Sequence, residues 1–198
     1  MTGRRVVLAS GNAGKLKELQ ALLGDRLELV PQSEYDIDGV EETGTTFEEN
    51  ALLKARHAAA VSGLPAIADD SGLEVDALNG APGVRSARFA GEDGNDQANN
   101  DKLLRELKGV AGAERRARFR AVIVYLDGAE DSRPLIAEGR WEGFIAHSPR
   151  GSNGFGYDPL FFDGTAQKTS AELDPSDKNR RSHRGKAARR LREMLNGR

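Results

Sequence analysis

A chain of 198 residues with 38% hydrophobic and 30% charged residues has the size and composition of one globular domain, or one domain in two lobes, with its own core. No apolar run approaches the roughly 20 residues that span a bilayer, and without cysteine the chain has neither disulfides nor thiolate metal sites, which suits the cytoplasm. The formal net charge of −2 conceals an uneven distribution: residues 178–198 are strongly basic, with Glu193 their only acid, and residues 34–101 are rich in acids. Such a split fits nucleic-acid binding, and it equally fits an enzyme that holds a polyphosphate through a metal and cations.

The basic start at residues 1–5 leads into too few apolar residues for a signal peptide, so residues 5–9 are expected as a first buried strand. Leu16, Leu19, Leu22 and Leu23 then recur at helical spacing, after the polar turn Ser10-Gly11-Asn12-Ala13-Gly14-Lys15. A second helix is expected from about Thr46 to Ser62. Thr46 and Glu49 form a capping box at its start, and Gly63 and Pro65 end it. Ala66-Ile67-Ala68 reads as a short strand that ends at a turn, Asp69-Asp70-Ser71-Gly72, and residues 73–78 alternate as a half-buried strand. Residues 79–95 are turn-rich, and the helix after them turns Leu103, Leu104 and Leu107 inward. Residues 118–126 are the clearest strand, residues 135–145 read as a pair of short ones, and residues 148–156 as a Gly-rich loop. A last helix carries Ala187, Ala188, Leu191, Met194 and Leu195, with its arginines outward. No repeat, linker or low-complexity stretch interrupts this mixed α/β single domain.

Several short constellations have residue types suited to chemistry. Backbone N–H groups at a helix start, freed by Gly11 and Gly14 and backed by Lys15, suit a phosphate, although an ordinary strand-to-helix turn has the same composition. The spacing is not that of the standard P-loop: only Asn12 and Ala13 separate the glycines, and Leu16 follows the lysine. Asp69 and Asp70 lie where an open α/β sheet binds ligands, so one carboxylate can take magnesium while the other activates water; turn chemistry alone would also explain them. Asn50, Lys54 and His57 share one helix face, as phosphate-facing or merely solvated residues. Glycines on either side of Phe155 leave its ring free to stack on a base, or to sit in a core. Lys178 and Ser182-His183-Arg184-Gly185 supply cations, the histidines are too dispersed for a zinc site, and the dinucleotide fingerprint is absent.

The order of these segments is more specific than any one of them. Ser10-Gly11-Asn12-Ala13-Gly14-Lys15, Glu42-Thr43-Gly44-Thr45-Thr46-Phe47 with Asn50 and Lys54, Ala68-Asp69-Asp70-Ser71-Gly72-Leu73, Gly80-Ala81-Pro82-Gly83-Val84 with Ser86-Ala87-Arg88, Gly154-Phe155-Gly156-Tyr157-Asp158-Pro159 and Ser182-His183-Arg184-Gly185 follow one another along nearly the whole chain. In that order they closely resemble the inosine/xanthosine triphosphate pyrophosphatase family.

The resemblance implies an α/β fold: an elongated mixed β-sheet flanked by helices, with residues 1–198 as a single domain of two lobes around a central substrate cleft, usually a cytoplasmic homodimer. It implies Mg2+-dependent hydrolysis of ITP, dITP and XTP to the monophosphate and pyrophosphate, which removes deaminated purines from the nucleotide pool, with no nucleic-acid or membrane partner. By the same resemblance, Ser10, Gly11, Asn12, Ala13, Gly14 and Lys15 contact the triphosphate and Ser71 touches the substrate. Glu42 and Asp70 hold magnesium with Asp69 close by, Asp70 also serves as proton acceptor, and Lys15 and Lys54 offset phosphate charge. Phe155, Gly156, Tyr157, Asp158, Lys178, His183 and Arg184 recognise the nucleoside. A nucleic-acid module built on the basic C-terminal helix, and a pyrophosphatase for other nucleotides, are the competing expectations.

Overall fold

The computed structural model describes residues 4–91 and 94–197. The start at Met1, Thr2 and Gly3, Glu92 and Asp93 of the turn-rich stretch, and Arg198 of the basic tail lie outside the described residues. The strands are β1 (Arg4–Leu8), β2 (Leu27–Pro31), β3 (Ala66–Val75), β4 (Arg116–Leu126), β5 (Leu135–Ile145), β6 (Phe161–Asp163) and β7 (Lys168–Thr169). The helices are α1 (Ala13–Leu23), α2 (Phe47–Ser62), α3 (Asp96–Glu106), α4 (Pro175–Arg181) and α5 (His183–Asn196). One mixed sheet has the order β2-β1-β3-β4-β5-β6-β7, with β1 parallel to β2 and β3, and β6 antiparallel to β5 and β7. The α/β class expected from the sequence is therefore the one observed.

The chain divides into two compact units, one of Met1–Asp70, Ala121–Gly139 and His183–Arg198, the other of Ser71–Arg120 and Arg140–Ser182. The first unit is built on β1, whose Val6, Val7 and Leu8 are fully buried; a parallel strand covered on both faces needs such an unbroken apolar run. Leu19 and Leu23 of α1, Ile67 of β3, Ile123 and Tyr125 of β4, and Ala187, Ala188 and Leu191 of α5 complete its core. In the second unit Phe119, Trp141 and Phe161 pack at tilted angles, with Phe119 and Phe161 centroids 4.5 Å apart, and the buried Trp141 indole donates to Asp163 Oδ2 at 3.1 Å.

Three local expectations change. The last helix does not turn all its arginines outward, since Arg184 is 2% exposed where it meets buried acids. Asp69-Asp70-Ser71-Gly72 is not a turn but the middle of β3, which runs unbroken from Ala66 to Val75. Its polar residues read as punctuation, yet buried acids can occupy a central strand once cations satisfy them. Residues 135–145 are likewise one strand, although Gly139 resembles a break. A Cβ at Gly139 would lie 2.0 Å from the His183 carbonyl oxygen and 2.7 Å from the Ala187 nitrogen. The glycine thus lets the first turn of α5 rest directly on β5. The short elements β2, β6, β7 and α4 had too little periodicity to be anticipated.

Gly139→Ala is expected to destabilise the protein by about 2 kcal/mol, since the clash is with backbone that no rotamer change relieves. Denaturant unfolding measures it, and an unchanged midpoint would show that α5 is not seated there.

Candidate active site

In the first unit the turn before α1 is set by its own side chains. Asn12 caps the helix, its Oδ1 accepting from Lys15 N at 2.9 Å, and Ser10 Oγ accepts from Asn12 N at 3.2 Å. No acid lies in the first turn of α1, so the positive end of the helix dipole is uncompensated locally and open to an anion.

Successive residues of a strand face opposite sides, and Asp69 and Asp70 consequently meet different partners. The Arg184 guanidinium reaches both Asp69 oxygens, Nε to Oδ1 and Nη2 to Oδ2, each at 3.3 Å. Lys15 Nζ lies 2.8 Å from Asp69 Oδ2, and Arg184 Nη1 also donates to Glu18 of α1. Asp69 and Arg184 are 1% and 2% exposed, so these pairs form out of water. Burial alone would raise the Asp69 pKa, but Arg184 and Lys15 overcome it and hold the carboxyl far below the usual range. Lys15 moves down as well, because burial and the neighbouring Lys54 and Arg184 outweigh the attraction of Asp69. The geometry gives an ionised cluster centred on an anionic Asp69.

Asp70 differs. Lys54 Nζ lies 2.9 Å from Asp70 Oδ1 and 2.9 Å from Glu42 Oε1, and it donates to the Asp69 carbonyl at 3.0 Å. Burial nevertheless prevails over these cations and raises the Asp70 pKa. For Lys54 burial works against the charge, but Asp70 and Glu42 outweigh it and the pKa rises. The helix that delivers Lys54 is fixed by the Thr46–Glu49 capping box, as anticipated. Asn50, one turn before Lys54, donates to Asp70 Oδ2 at 3.4 Å and accepts from Gly44 N at 2.8 Å. A Cβ on Gly44 would come within 2.6 Å of that Asn50 oxygen, so the approach requires glycine.

Among the described residues no three or more His, Asp or Glu side chains form a ready metal cage. Glu42 and Asp70 are two carboxylates that already share one cation, the Lys54 ammonium. That donor set fits magnesium, which takes one or two carboxylates and completes its shell with water and substrate phosphates.

In the second unit the loop from Gly154 to Asp158 is held from several sides. Asp158 Oδ2 accepts from Phe155 N at 2.9 Å and from Lys178 Nζ at 2.6 Å, while Oδ1 accepts from Ser170 Oγ at 2.7 Å. Lys178 Nζ sits 4.9 Å from the centroid of the half-buried Phe155 ring. Gly154 has φ +79, and a Cβ there would lie 2.0 Å from Asp158 Oδ2. The Tyr157 hydroxyl is buried and donates to the Ser86 carbonyl at 2.8 Å; burial, with a further push from Asp96, raises its pKa. Gly156 N donates to Asp96 Oδ2 at 2.7 Å, and Asn100 Nδ2 donates to Gly156 O at 2.9 Å.

The candidates named from the sequence thus fall into two groups. Ser10 to Lys15, Glu42, Lys54, Asp69, Asp70, His183 and Arg184 belong to the first unit, and Ser71, Phe155 to Asp158 and Lys178 to the second. Spacing along the chain does not single out Glu18, Asp96 or Asn100, and it places Asn50 on a helix face and in the motif series without its partner; each acts through a residue distant in sequence. The basic tail is engaged internally: Arg181 pairs with Asp177 and Asp163, Arg184 with Asp69 and Glu18, and Arg192 with Asp25.

The model of the Ham1 family matches residues 6–194. The dITP/XTP pyrophosphatase of Thioalkalivibrio sulfidiphilus is 57% identical over 195 residues, covering 98% of this chain and 100% of that protein. The dITP/XTP pyrophosphatase of Escherichia coli O157:H7 is 56% identical over 193 residues, 97% of this chain and 98% of that protein. Among solved structures, a HAM1 protein from Coxiella burnetii superposes with a TM-score of 0.90 at 49% identity, covering 98% of this chain and 100% of that one.

Asp69 is depressed in the folded state, so its ionised form contributes stability above an unfolded value near about pH 4 and loses it as pH falls toward the lowered value. Asp69→Asn in metal-free protein should cost about 3–5 kcal/mol at neutral pH, because it leaves buried cations uncompensated. The difference from the unaltered protein should narrow on acidification below about pH 4. Urea unfolding across that range checks this, and a pH-independent gap would contradict it.

Proposed function

Because this chain belongs to the Ham1 family, we propose that it hydrolyses non-canonical purine nucleoside triphosphates, ITP, dITP and XTP, to the monophosphate and pyrophosphate. The observation that carries the reading is the pair of adjacent buried carboxylates with opposite properties, Asp69 locked as an anion and Asp70 moved toward the neutral form. A general base works best near its operating pH, and Asp70 is the group displaced in that direction.

Water attacks the α-phosphorus and gives its proton to the Asp70 carboxylate. The bond from the α-phosphorus to the bridging oxygen breaks, and pyrophosphate leaves with that electron pair. Lys15, Lys54 and the turn from Ser10 to Lys15 at the start of α1 meet the charge that develops on the phosphates; positioning and electrostatics supply most of such catalysis. Glu42 and Asp70, with Asp69 alongside, would hold magnesium, which would supply Lewis-acid polarisation of the phosphate oxygens. Ser71 contacts the substrate, and Phe155 provides the stacking face of the base, framed by Gly156, Tyr157 and Asp158. Lys178, His183 and Arg184 complete nucleoside recognition. A donor such as Lys178 rewards the C6 keto oxygen of hypoxanthine and xanthine, where adenine presents an amino donor.

The proposal extends to a single two-lobed domain over residues 1–198, acting as a cytoplasmic homodimer with no nucleic-acid or membrane partner. Among the described residues no helix is long and apolar enough to cross a membrane, and the internal ion pairs of the basic tail favour an enzyme over a nucleic-acid module.

The first test is product analysis with inosine, xanthosine, adenosine and guanosine triphosphates, with and without Mg2+. Monophosphate and pyrophosphate from the first two alone, and only with metal, are expected; orthophosphate, or equal use of all four, would overturn the reading. Asp70→Asn should fold and lose nearly all turnover, whereas Phe155→Ala should mainly raise KM. Lys54→Met should tighten Mg2+ binding in substrate-free calorimetry while lowering turnover, since its ammonium competes for Glu42 and Asp70. Weaker binding would place the metal elsewhere.

A further inference from the structure

The two peptide groups that flank the Phe155 Cα are each pinned by a carboxylate. On one side Phe155 N donates to Asp158 Oδ2 at 2.9 Å, and on the other Gly156 N donates to Asp96 Oδ2 at 2.7 Å. Fixing both peptide planes holds φ and ψ of Phe155, and with them the direction of the Cα–Cβ bond from which its ring projects. Asn100 extends the grip: it lies one turn along α3 from Asp96, on the same face, and its Nδ2 holds Gly156 O at 2.9 Å. Without these bonds a glycine at φ +62, with no Cβ to restrict it, has a wide conformational choice.

The two carboxylates are not equivalent in surroundings. Asp158 is 3% exposed and binds Lys178 and Ser170, so it is built into the interior. Asp96 is exposed at the start of α3, and Gly156 N is the hydrogen-bond donor it meets there. Its removal opens no core.

We propose that Asp96 is a positioning residue for base recognition: it orients the Phe155 stacking face through the Gly156 peptide without touching the substrate. The inference rests on Phe155 being the stacking face of the base, as argued above. It predicts that loss of Asp96 weakens binding of the base-bearing part of the substrate and leaves the polyphosphate part alone.

Product inhibition separates the two, since the nucleoside monophosphate carries the base and pyrophosphate does not. In Asp96→Ala, inhibition by inosine monophosphate should weaken about tenfold, the worth of a charge-assisted hydrogen bond at its lower end. KM for inosine triphosphate should rise, with kcat and pyrophosphate inhibition unchanged. Asp96→Asn keeps a side-chain oxygen for the Gly156 N–H and should restore monophosphate inhibition to within about fourfold, since a neutral acceptor retains about half the worth of such a bond. Equal weakening of both products, unchanged monophosphate inhibition in Asp96→Ala, or failure of Asp96→Asn to rescue would each overturn the assignment. Absence of monophosphate inhibition in the unaltered protein would instead overturn the base-stacking reading itself, and this inference with it.

Discussion

Much of the first unit depends on how one carboxylate is kept charged out of water. Asp69 sits in the middle of a strand with Arg184 spread across both its oxygens and Lys15 on one of them. Removing one member of such a pair typically costs about 3–5 kcal/mol, because it leaves the other charge buried and unpaired, so each of the three elements that carry these residues needs the others in place. Arg184 brings the start of α5, Lys15 the start of α1, and Glu18 joins the last two on the helix surface between them. Lys15, which meets phosphate in the proposed reaction, is therefore also structural.

The neighbouring position shows how little sequence distance is needed to obtain different chemistry. Asp70 is one residue from Asp69 and is also buried, but the alternation of the strand gives it Lys54 and Asn50 in place of Arg184. A guanidinium that bridges both oxygens stabilises an anion strongly, whereas a single ammonium shared with Glu42 does not offset burial. One carboxylate is thereby committed to the cations around it, and the other is the one to which the proposed reaction gives proton transfer.

The residues at which the sequence was most informative were those whose partners lie close along the chain. The Thr46–Glu49 capping box, the Asn12 turn and the inward leucines of α3 all follow from spacing within a turn or two, and each formed as expected. Where the decisive contact is distant, spacing was silent. Asp69-Asp70-Ser71-Gly72 looked like a turn because the cations that let it lie in β3 come from α1, α2 and a helix more than a hundred residues later. Residues 135–145 read as two short strands because nothing nearby reveals that a single strand runs through Gly139 with the backbone of α5 crossing it. Asp96 and Glu18 are ordinary exposed-looking acids on helices until the fold supplies Gly156 and Arg184. The ordered series of motifs made the family recognisable, but not which of those residues would pair with which.

The seat of α5 on Gly139 bears on the order in which the chain is made. Arg184 is the largest source of attraction on Asp69, and it emerges from the ribosome after the whole of β1 to β7. Until then the strand carrying Asp69 has its charge but not its main counterion, and the glycine that will receive α5 has nothing to receive. The charge on Asp69 is therefore matched only once α5 has been made, by a guanidinium that follows it in the chain by more than a hundred residues.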